Sequence, residues 1–556
     1  MPIVVKKPEG TAGSAVPAIA IGLFVAFGGV LFGYDTGTIG GILGMDYFKE
    51  RFHTAGNEKF DSESGTIKPY ITSNQQSEIV SILSAGTFFG ALAAAPACDW
   101  VGRRLGLVIS CIVFTFGVIL QTAAVQIPLF VAGRFFAGFG VGMISASIPL
   151  YQSETSPKWI RGAVVGAYQL AITIGLLLAA VVDNATAKRN DTGSYRIPVA
   201  VQFAWALILF TGMLFLPETP RYCIKQNNPE KAARCLARLR RLDLDHPALI
   251  EELAEIKANH EYELSLGKAS YIDCFRGGMF KRLATGCLLQ SLQQLTGVNF
   301  VFYYGTTYFQ GAGFSNAFII TMITSAVNVG STFPGLYMVE AWGRRNLLLF
   351  GAIGMFVCQY IVAAVGTAIT DPALEQDLHS AKITAAQNAS IAFVCIYIFF
   401  FACSWGPVAW VVTGEIFPLK IRAKGLSMTT ASNWLLNWAI AYMTPYLVNN
   451  DPTSPPQGAD LKSKIFFVWG SCCFICIAFV WLMIYETKGL SLEQVDELYA
   501  KVKYAWKSPG FVPTVSFREV EDTGVDTRKM SLTDAEHTAQ RKRSVQHEEI
   551  QMPEKY

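Results

Sequence analysis

Apolar residues in this chain come in blocks of about twenty, separated by short polar connections. A helix of that length crosses a ~30 Å hydrocarbon layer at ~1.5 Å per residue. Twelve blocks run at about 17–44, 75–97, 105–122, 127–151, 162–182, 198–216, 283–310, 316–338, 346–367, 389–414, 424–448 and 464–485. The pattern predicts an all-α membrane protein of twelve transmembrane helices, six on each side of a charged stretch. The chain then divides into an N-terminal segment 1–16, a six-helix half 17–217, a linker 218–282, a second half 283–486 and a polar tail 487–556. In the linker, "KAARCLARLRR" and "EELAEIKANHEYE" read as amphipathic helices lying outside the membrane. The tail lacks an apolar period and is expected to be mostly disordered.

An even number of spans puts both termini on one side. The basic connections fall on that side too: Gly102-Arg103-Arg104, Lys158 with Arg161, Gly343-Arg344-Arg345, and Lys420, Arg422 and Lys424. The positive-inside rule makes this side cytoplasmic. The sequons at Asn184, Asn190 and Asn388 fall in the opposite loops and are glycosylation candidates. The first apolar block is expected to act as its own insertion signal, without a cleaved leader.

Composition narrows the function. Of 556 residues, 52% are hydrophobic and 16% charged, against about 25% charged in soluble domains. The basic residues sit in pairs at span ends and form no stripe with aromatics, which argues against nucleic acid. The twelve cysteines lie in spans or in the linker, so no structural disulfide is expected. All six histidines lie outside the spans, and no metal site or cofactor is expected. No nucleophile–base set or phosphate loop appears, so the chain is not read as an enzyme. Its work would be driven by a gradient.

Polar groups inside the blocks need partners, because a buried amide left alone costs a few kcal/mol. In "LQSLQQLTGVNF" at 289–300, Gln290, Gln293, Gln294 and Gly297 share one helical face. Asn299 lies about 140° round from Gln294 and joins them only if the helix breaks, with Gly297 as the place. Asp35 in the first span and Arg134 in the fourth are the ionised residues read as lying well inside a span. Both fall in the outer half, where they can pair. Intramembrane charges are functional candidates by default.

The halves repeat. "DWVGRRLGL" at 99–107 returns as "EAWGRRNLL" at 340–348, "ETSPKWIRG" at 154–162 as "EIFPLKIRA" at 415–423, and "LPETP" at 216–220 as "IYETK" at 484–488. Parallel repeats of this kind are a transporter signature. The blocks gather Asp99, Arg103, Arg104, Glu154, Arg161, Glu218 and Arg221 in one half, and Glu340, Arg344, Arg345, Glu415, Arg422 and Glu486 in the other. They are read as a cytoplasmic gating network.

In order along the chain, "GRFFAGFGVG" at 133–142, "PLYQSETSPKWIRG" at 149–162, "PETPR" at 217–221, "QQLTGVN" at 293–299, "WGPVAW" at 405–410 and "YETKGLSLE" at 485–493 complete the picture. This sequence resembles the sugar porter branch of the major facilitator superfamily, with fungal hexose transporters the nearest likeness. The resemblance implies a sugar site between the halves, made by Gln169, Gln293, Gln294, Asn299, Asn328, Trp410 and Asn437, with Phe32 beside the sugar and Tyr303 and Tyr304 as outer-gate aromatics. It implies that Asp35 and Arg134 couple transport to protons, as in related symporters. The expectation is therefore a monosaccharide transporter, for glucose first, in the plasma membrane. Its partners would be the sugar, a proton and lipid, and a monomer would suffice. A facilitative uniporter and a glucose sensor signalling through its tail are the alternatives. Ala171, Ala402 and a first outer loop (46–74) without cysteine depart from the glucose-selective animal carriers and plant symporters. Exact sugar preference does not carry over.

Overall fold

The computed structural model describes residues 13–54, 58–61, 66–157, 160–265, 270–311, 316–370, 381–418, 421–448, 459–490 and 492–511. The first six spans are α1 Val16–Ala26 continued by α2 Gly28–Ile42, then α4 Ser73–Val101, α5 Arg103–Ala123, α6 Ile127–Thr155, α7 Arg161–Thr186 and α8 Gly193–Phe215. Between them and the second set lie α9 Pro220–Lys225, α10 Pro229–Arg240 and α11 Pro247–Ser265. The second six are α12 Gly278–Leu295 with α13 Val298–Gly311, α14 Ala317–Trp342, α15 Arg344–Val365, α16 Ala381–Cys403 with α17 Trp405–Glu415, α18 Arg422–Val448 and α19 Ile465–Met483.

Among the described residues, ten spans are long and apolar enough to cross a membrane on their own. The other two, α12–α13 and α18, carry Gln290, Gln293, Gln294, Asn299, Asn433 and Asn437. Their amides lower the hydropathy, and packing supplies the partners that lipid cannot. The connection after the first span adds a feature the all-α reading did not contain. It holds α3 Asp46–Phe52 and a hairpin of β1 Glu58–Asp61 and β2 Thr66–Pro69, antiparallel with Glu58 opposite Pro69. The rings of Phe48 and Phe52 on α3 pack with Phe130 and Tyr195 and close one end of the first half.

Within the first half α4 and α5 pack on α6, and α2 packs on α7; within the second, α16 and α19 pack on α15. Three seams join the halves: α4 with α18, α7 with α14, and α2 with α13. The ends carrying the Gly-Arg-Arg connections form one face, called here the basic face. Hydrogen bonds across the seams lie between the centre and the opposite, far face. Ser77 Oγ donates to Tyr442 O at 2.8 Å, Tyr446 OH to Asn74 Oδ1 at 2.9 Å and Gln310 Nε2 to Gly44 O at 3.2 Å. The far face is closed.

The seventh span breaks where the position of Asn299 required it. Gly297 has φ +84°, and a methyl group on it would sit 2.5 Å from the Trp469 ring. The carbonyl of Thr296 accepts from Gln359 Nε2 at 2.7 Å and Tyr397 OH at 2.9 Å. Backbone freed by the break is thus satisfied inside the bundle. Gly297→Ala combines a strained backbone with overpacking and is expected to lower stability by about 2–4 kcal/mol. Thermal unfolding in detergent checks this. Gly305→Ala, where the nearest atoms lie at 3.8 and 3.9 Å, serves as the neutral control.

The start of the tail corrects the expectation of disorder. Residues Leu492–Lys501 form α20, and a short 3-10 turn follows at Ala505–Gly510. Val495 and Leu498 are buried, and the Tyr485 and Tyr499 rings lie 4.5 Å apart. Two apolar residues three apart give the helix a packing stripe, a period too brief to stand out in a charged sequence. Lys158 and Lys420 lie outside the described residues, as does the tail beyond residue 511.

Candidate substrate and ion sites

The amides of the seventh span divide by what they meet. Gln293 Nε2 donates to the carbonyls of Trp405 at 2.8 Å and Gly406 at 3.2 Å, at the start of α17. Gln290 Nε2 donates to Thr413 Oγ1 at 3.3 Å. Both side-chain oxygens accept from Asn433 Nδ2, at 2.7 Å for Gln290 and 2.8 Å for Gln293. These two glutamines join helices. Gln294 is different: its Oε1 accepts from Asn299 Nδ2 and, at 3.1 Å, from Asn437 Nδ2, while its Nε2 donates to Asn433 Oδ1 at 2.9 Å. Asn437 Oδ1 in turn accepts from Ser84 Oγ at 2.5 Å and Tyr303 OH at 3.1 Å. Ser84 belongs to the other half. One chain of amides therefore runs from the broken helix to the seam.

Three residues expected at the sugar site keep unused hydrogen-bonding capacity. The side-chain amides of Gln169 on α7 and Asn328 on α14, and the Trp410 indole on α17, have no hydrogen-bond partner among the described residues. Gln169 Nε2 lies 3.5 Å from where a methyl on Gly406 would be, so it reaches the second half. The Phe32 ring meets Trp434 edge-on at 5.3 Å across the seam. Tyr304 OH donates to Ala441 O at 2.6 Å, and both gate tyrosines are buried. Asn433, Trp434 and Ser84 were missing from the sequence reading. Asn433 was legible in principle, since it stands four residues before Asn437 on the same face.

Asp35 and Arg134 are both buried, with Arg134 Nη1 3.6 Å from Asp35 Oδ1. That distance is an ion pair but not a hydrogen bond. Among the described residues, both Asp35 oxygens, and Arg134 Nε and Nη2, lack hydrogen-bond partners. Gln202 lies beside Asp35, and Tyr303 and Tyr304 lie within electrostatic reach of Arg134. The charged pair thus adjoins Tyr304 and Tyr303, the second of which touches the amide chain.

At the basic face the repeat becomes geometry. Arg103 Nη2 lies 3.0 Å from Glu154 Oε1, and Arg344 Nη2 3.0 Å from Glu415 Oε1. Asp99 and Glu340 flank the same arginines at 3.6 and 3.2 Å. Glu218 accepts from the backbone N–H of Arg103 and Arg104, and Glu486 from that of Arg344 and Arg345, so each carboxylate caps a helix N-terminus. The preceding Gly102 and Gly343 have φ +103° and +86° and leave room for the caps. Arg104 Nε donates to Met213 O and Arg345 Nη2 to Trp481 O, both at 2.9 Å. Burial pushes Glu218 above the ordinary glutamate range. Arg221 enters no ion pair among the described residues. Arg422 begins α18, and the side chain of Arg161 lies outside the described residues.

A second matched pair was not foreseen. Arg240 on α10 donates to Thr155 O at 3.1 Å and pairs with Glu252 at 2.7 Å; Arg282 on α12 donates to Ile416 O at 3.2 Å and pairs with Asp496 on α20. Thr155 and Ile416 directly follow Glu154 and Glu415. In the first half the linker helix α10, and in the second the start of the seventh span, is therefore pinned to the end of the glutamate-bearing helix. No sequence likeness between Arg240 and Arg282 signalled this.

Residues 21–499 match the family model described as "Sugar (and other) transporter". The chain belongs to this family. It is 61% identical to the major facilitator-type transporter ecdD of Aspergillus rugulosus over 95% of this chain and 96% of that one. It is 53% identical to the probable glucose transporter rco-3 of Neurospora crassa, over 93% and 85%. Among solved structures, the proton:xylose symporter XylE of E. coli, bound to 6-bromo-6-deoxy-D-glucose, superposes with a TM-score of 0.69 at 25% identity, covering 87% of this chain and 100% of that one. The protein is a multi-pass sugar transporter of the major facilitator type, not an enzyme. Asn184 at the end of α7, Asn190 in the following connection and Asn388 on α16 are exposed.

Proposed function

We propose that this sugar transporter carries monosaccharides, glucose foremost, by alternating access coupled to proton entry, in the plasma membrane with both termini cytoplasmic. The basic face is then cytoplasmic and the far face outer, as the positive-inside rule requires. The observation that carries the reading is the Gln294–Asn299–Asn437 chain, which runs from the broken helix to Ser84 of the other half, with unpaired polar groups at Gln169, Asn328 and Trp410 available to a ligand. An amide offers donors and an acceptor together and bridges neighbouring sugar hydroxyls. Trp410 supplies an apolar plate for a sugar C–H face, and Phe32 closes the other side. Groups from both halves meeting on one ligand let the ligand draw the halves together.

Coupling rests on Asp35. A proton from outside neutralises it and frees Arg134 from a contact already loose at 3.6 Å. The change reaches Tyr303 and Tyr304 beside the arginine, and through Tyr303 the amide chain. At the cytoplasmic face the two arginine–glutamate clusters hold each half's helix ends together and bias the opening there. The named relatives, a probable glucose transporter and a proton:xylose symporter, support substrate class and coupling alike. Saturable uptake of a labelled, non-metabolised glucose analogue in cells lacking hexose carriers, competed by unlabelled monosaccharides, is expected. Saturable uptake that monosaccharides do not compete for would overturn the substrate class.

A further inference from the structure

A buried acid on α7 belongs to none of the clusters above. Asp183 is 2% exposed, and neither carboxyl oxygen has a hydrogen-bond partner among the described residues. Its carboxyl is pressed on α2, so that a methyl on Gly41 would sit 2.2 Å from Oδ2. The glycines beside Gly41 form the outer seam. A methyl on Gly40 would meet the backbone oxygens of Phe302 and Tyr303, and one on Gly44 would meet Thr306 and Phe318. Gln310 Nε2 also reaches across to Gly44 O at 3.2 Å. Asp183 therefore lies directly behind the surface on which the outer face closes.

Among the described residues no charge compensates it. On α2, Tyr34 is near enough to feel its charge but gives its hydroxyl to Pro198 O at 3.1 Å, and Asp35 is paired with Arg134. On α8, Arg196 lies 5.8 Å over the Tyr195 ring. On α14 the titratable residues, Tyr337 and Glu340, are near the cytoplasmic end. After α7, Lys188 is exposed and Arg189 pairs with Asp191 at 2.8 Å. An ionised carboxylate with neither cation nor donor among the described residues is costly in such a place.

We propose that Asp183 is a second proton-binding site, a carboxyl that is neutral while the outer face is closed and ionises when the opening seam admits water. The proton leaves to outside water on opening and returns on closing. The inference rests on the alternating-access reading but not on coupling at Asp35, and its sign is opposite. The closed form holds the extra proton, so lowering the external pH favours closure. The shift approaches tenfold per pH unit above the ordinary carboxylate range. At Asp35 a proton from outside assists sugar uptake instead.

The test uses the full chain in liposomes, with Asp35→Asn as background so that one acid titrates alone. The half-saturating concentration of external glucose analogue is measured from pH 5 to 8, with and without Asp183→Asn. With Asp183 present it is expected to rise several-fold as pH falls; with asparagine it is expected to be flat. Equal slopes in the two proteins would overturn the proposal. Asp183→Ser, also neutral and smaller, replaces the asparagine variant should that fail to fold. Infrared spectra of the wild-type protein give a readout that needs no sugar. A protonated-carboxyl band at pH 7 that survives Asp35→Asn and vanishes with Asp183→Asn is expected, and its absence at pH 7 would overturn the proposal whether or not sugar is carried.

Discussion

Asp35→Asn is expected to produce a protein that still equilibrates sugar but no longer accumulates it. Asparagine keeps the shape of the carboxyl and holds it permanently in the neutral form. Arg134 is then free of its 3.6 Å partner at every pH, and the proton no longer decides when the outer gate closes. A gradient of ~1 pH unit is worth ~1.4 kcal/mol per proton, and a potential of ~100 mV adds ~2.3 kcal/mol. One coupled proton thus supports an inside-to-outside ratio of up to a few hundred. The expected change is from a ratio well above one to one. It is read as the steady state of a labelled glucose analogue in energised cells. Accumulation undiminished in the variant would return the Asp35–Arg134 pair to a purely structural role.

Gln294→Ala is expected to have the second-largest effect, on affinity. The substitution removes the acceptor shared by Asn299 and Asn437 and the donor to Asn433, all within the bundle. Leaving buried partners unsatisfied costs about 1–3 kcal/mol, and the bond to a sugar hydroxyl proposed for Gln294 would be lost as well. The half-saturating sugar concentration is expected to rise by about 30- to 100-fold, a change of ~2–3 kcal/mol. Gln290→Met makes the contrast. Gln290 serves Thr413 and Asn433 within the second half. Its loss is expected to lower thermal stability while the affinity moves less than threefold. A similar loss of affinity in both variants would contradict the division drawn between the helix-joining and ligand-facing amides.

The spans were legible because lipid imposes one constraint throughout, so hydropathy alone finds most of them. The break at Gly297 was legible too, since Asn299 had to turn about 140° to join its neighbours. The partners of the amides were not. Asn433 lies 139 residues from Gln294, and only packing brings the two together. Asp183 escaped notice because it falls at the edge of an apolar block, where a sequence reading places acids in the loop. Its burial is decided by Gly41 on another helix. The pinning of Thr155 by Arg240 and of Ile416 by Arg282 was hidden for the same reason: a linker helix and the start of a span, unrelated in sequence, reach equivalent carbonyls. The brief stripe of α20 was overlooked because its charged residues outnumber its buried ones.

The most direct test of the account is the steady-state level of a labelled, non-metabolised glucose analogue in cells without their own hexose carriers, with and without a protonophore. Accumulation above the outside concentration that collapses to equality when the protonophore is added is the expected result. Entry that stops at equal concentrations in both conditions would contradict proton coupling and make this a facilitator. No entry of any monosaccharide would contradict the transport of sugar itself and favour a sensor.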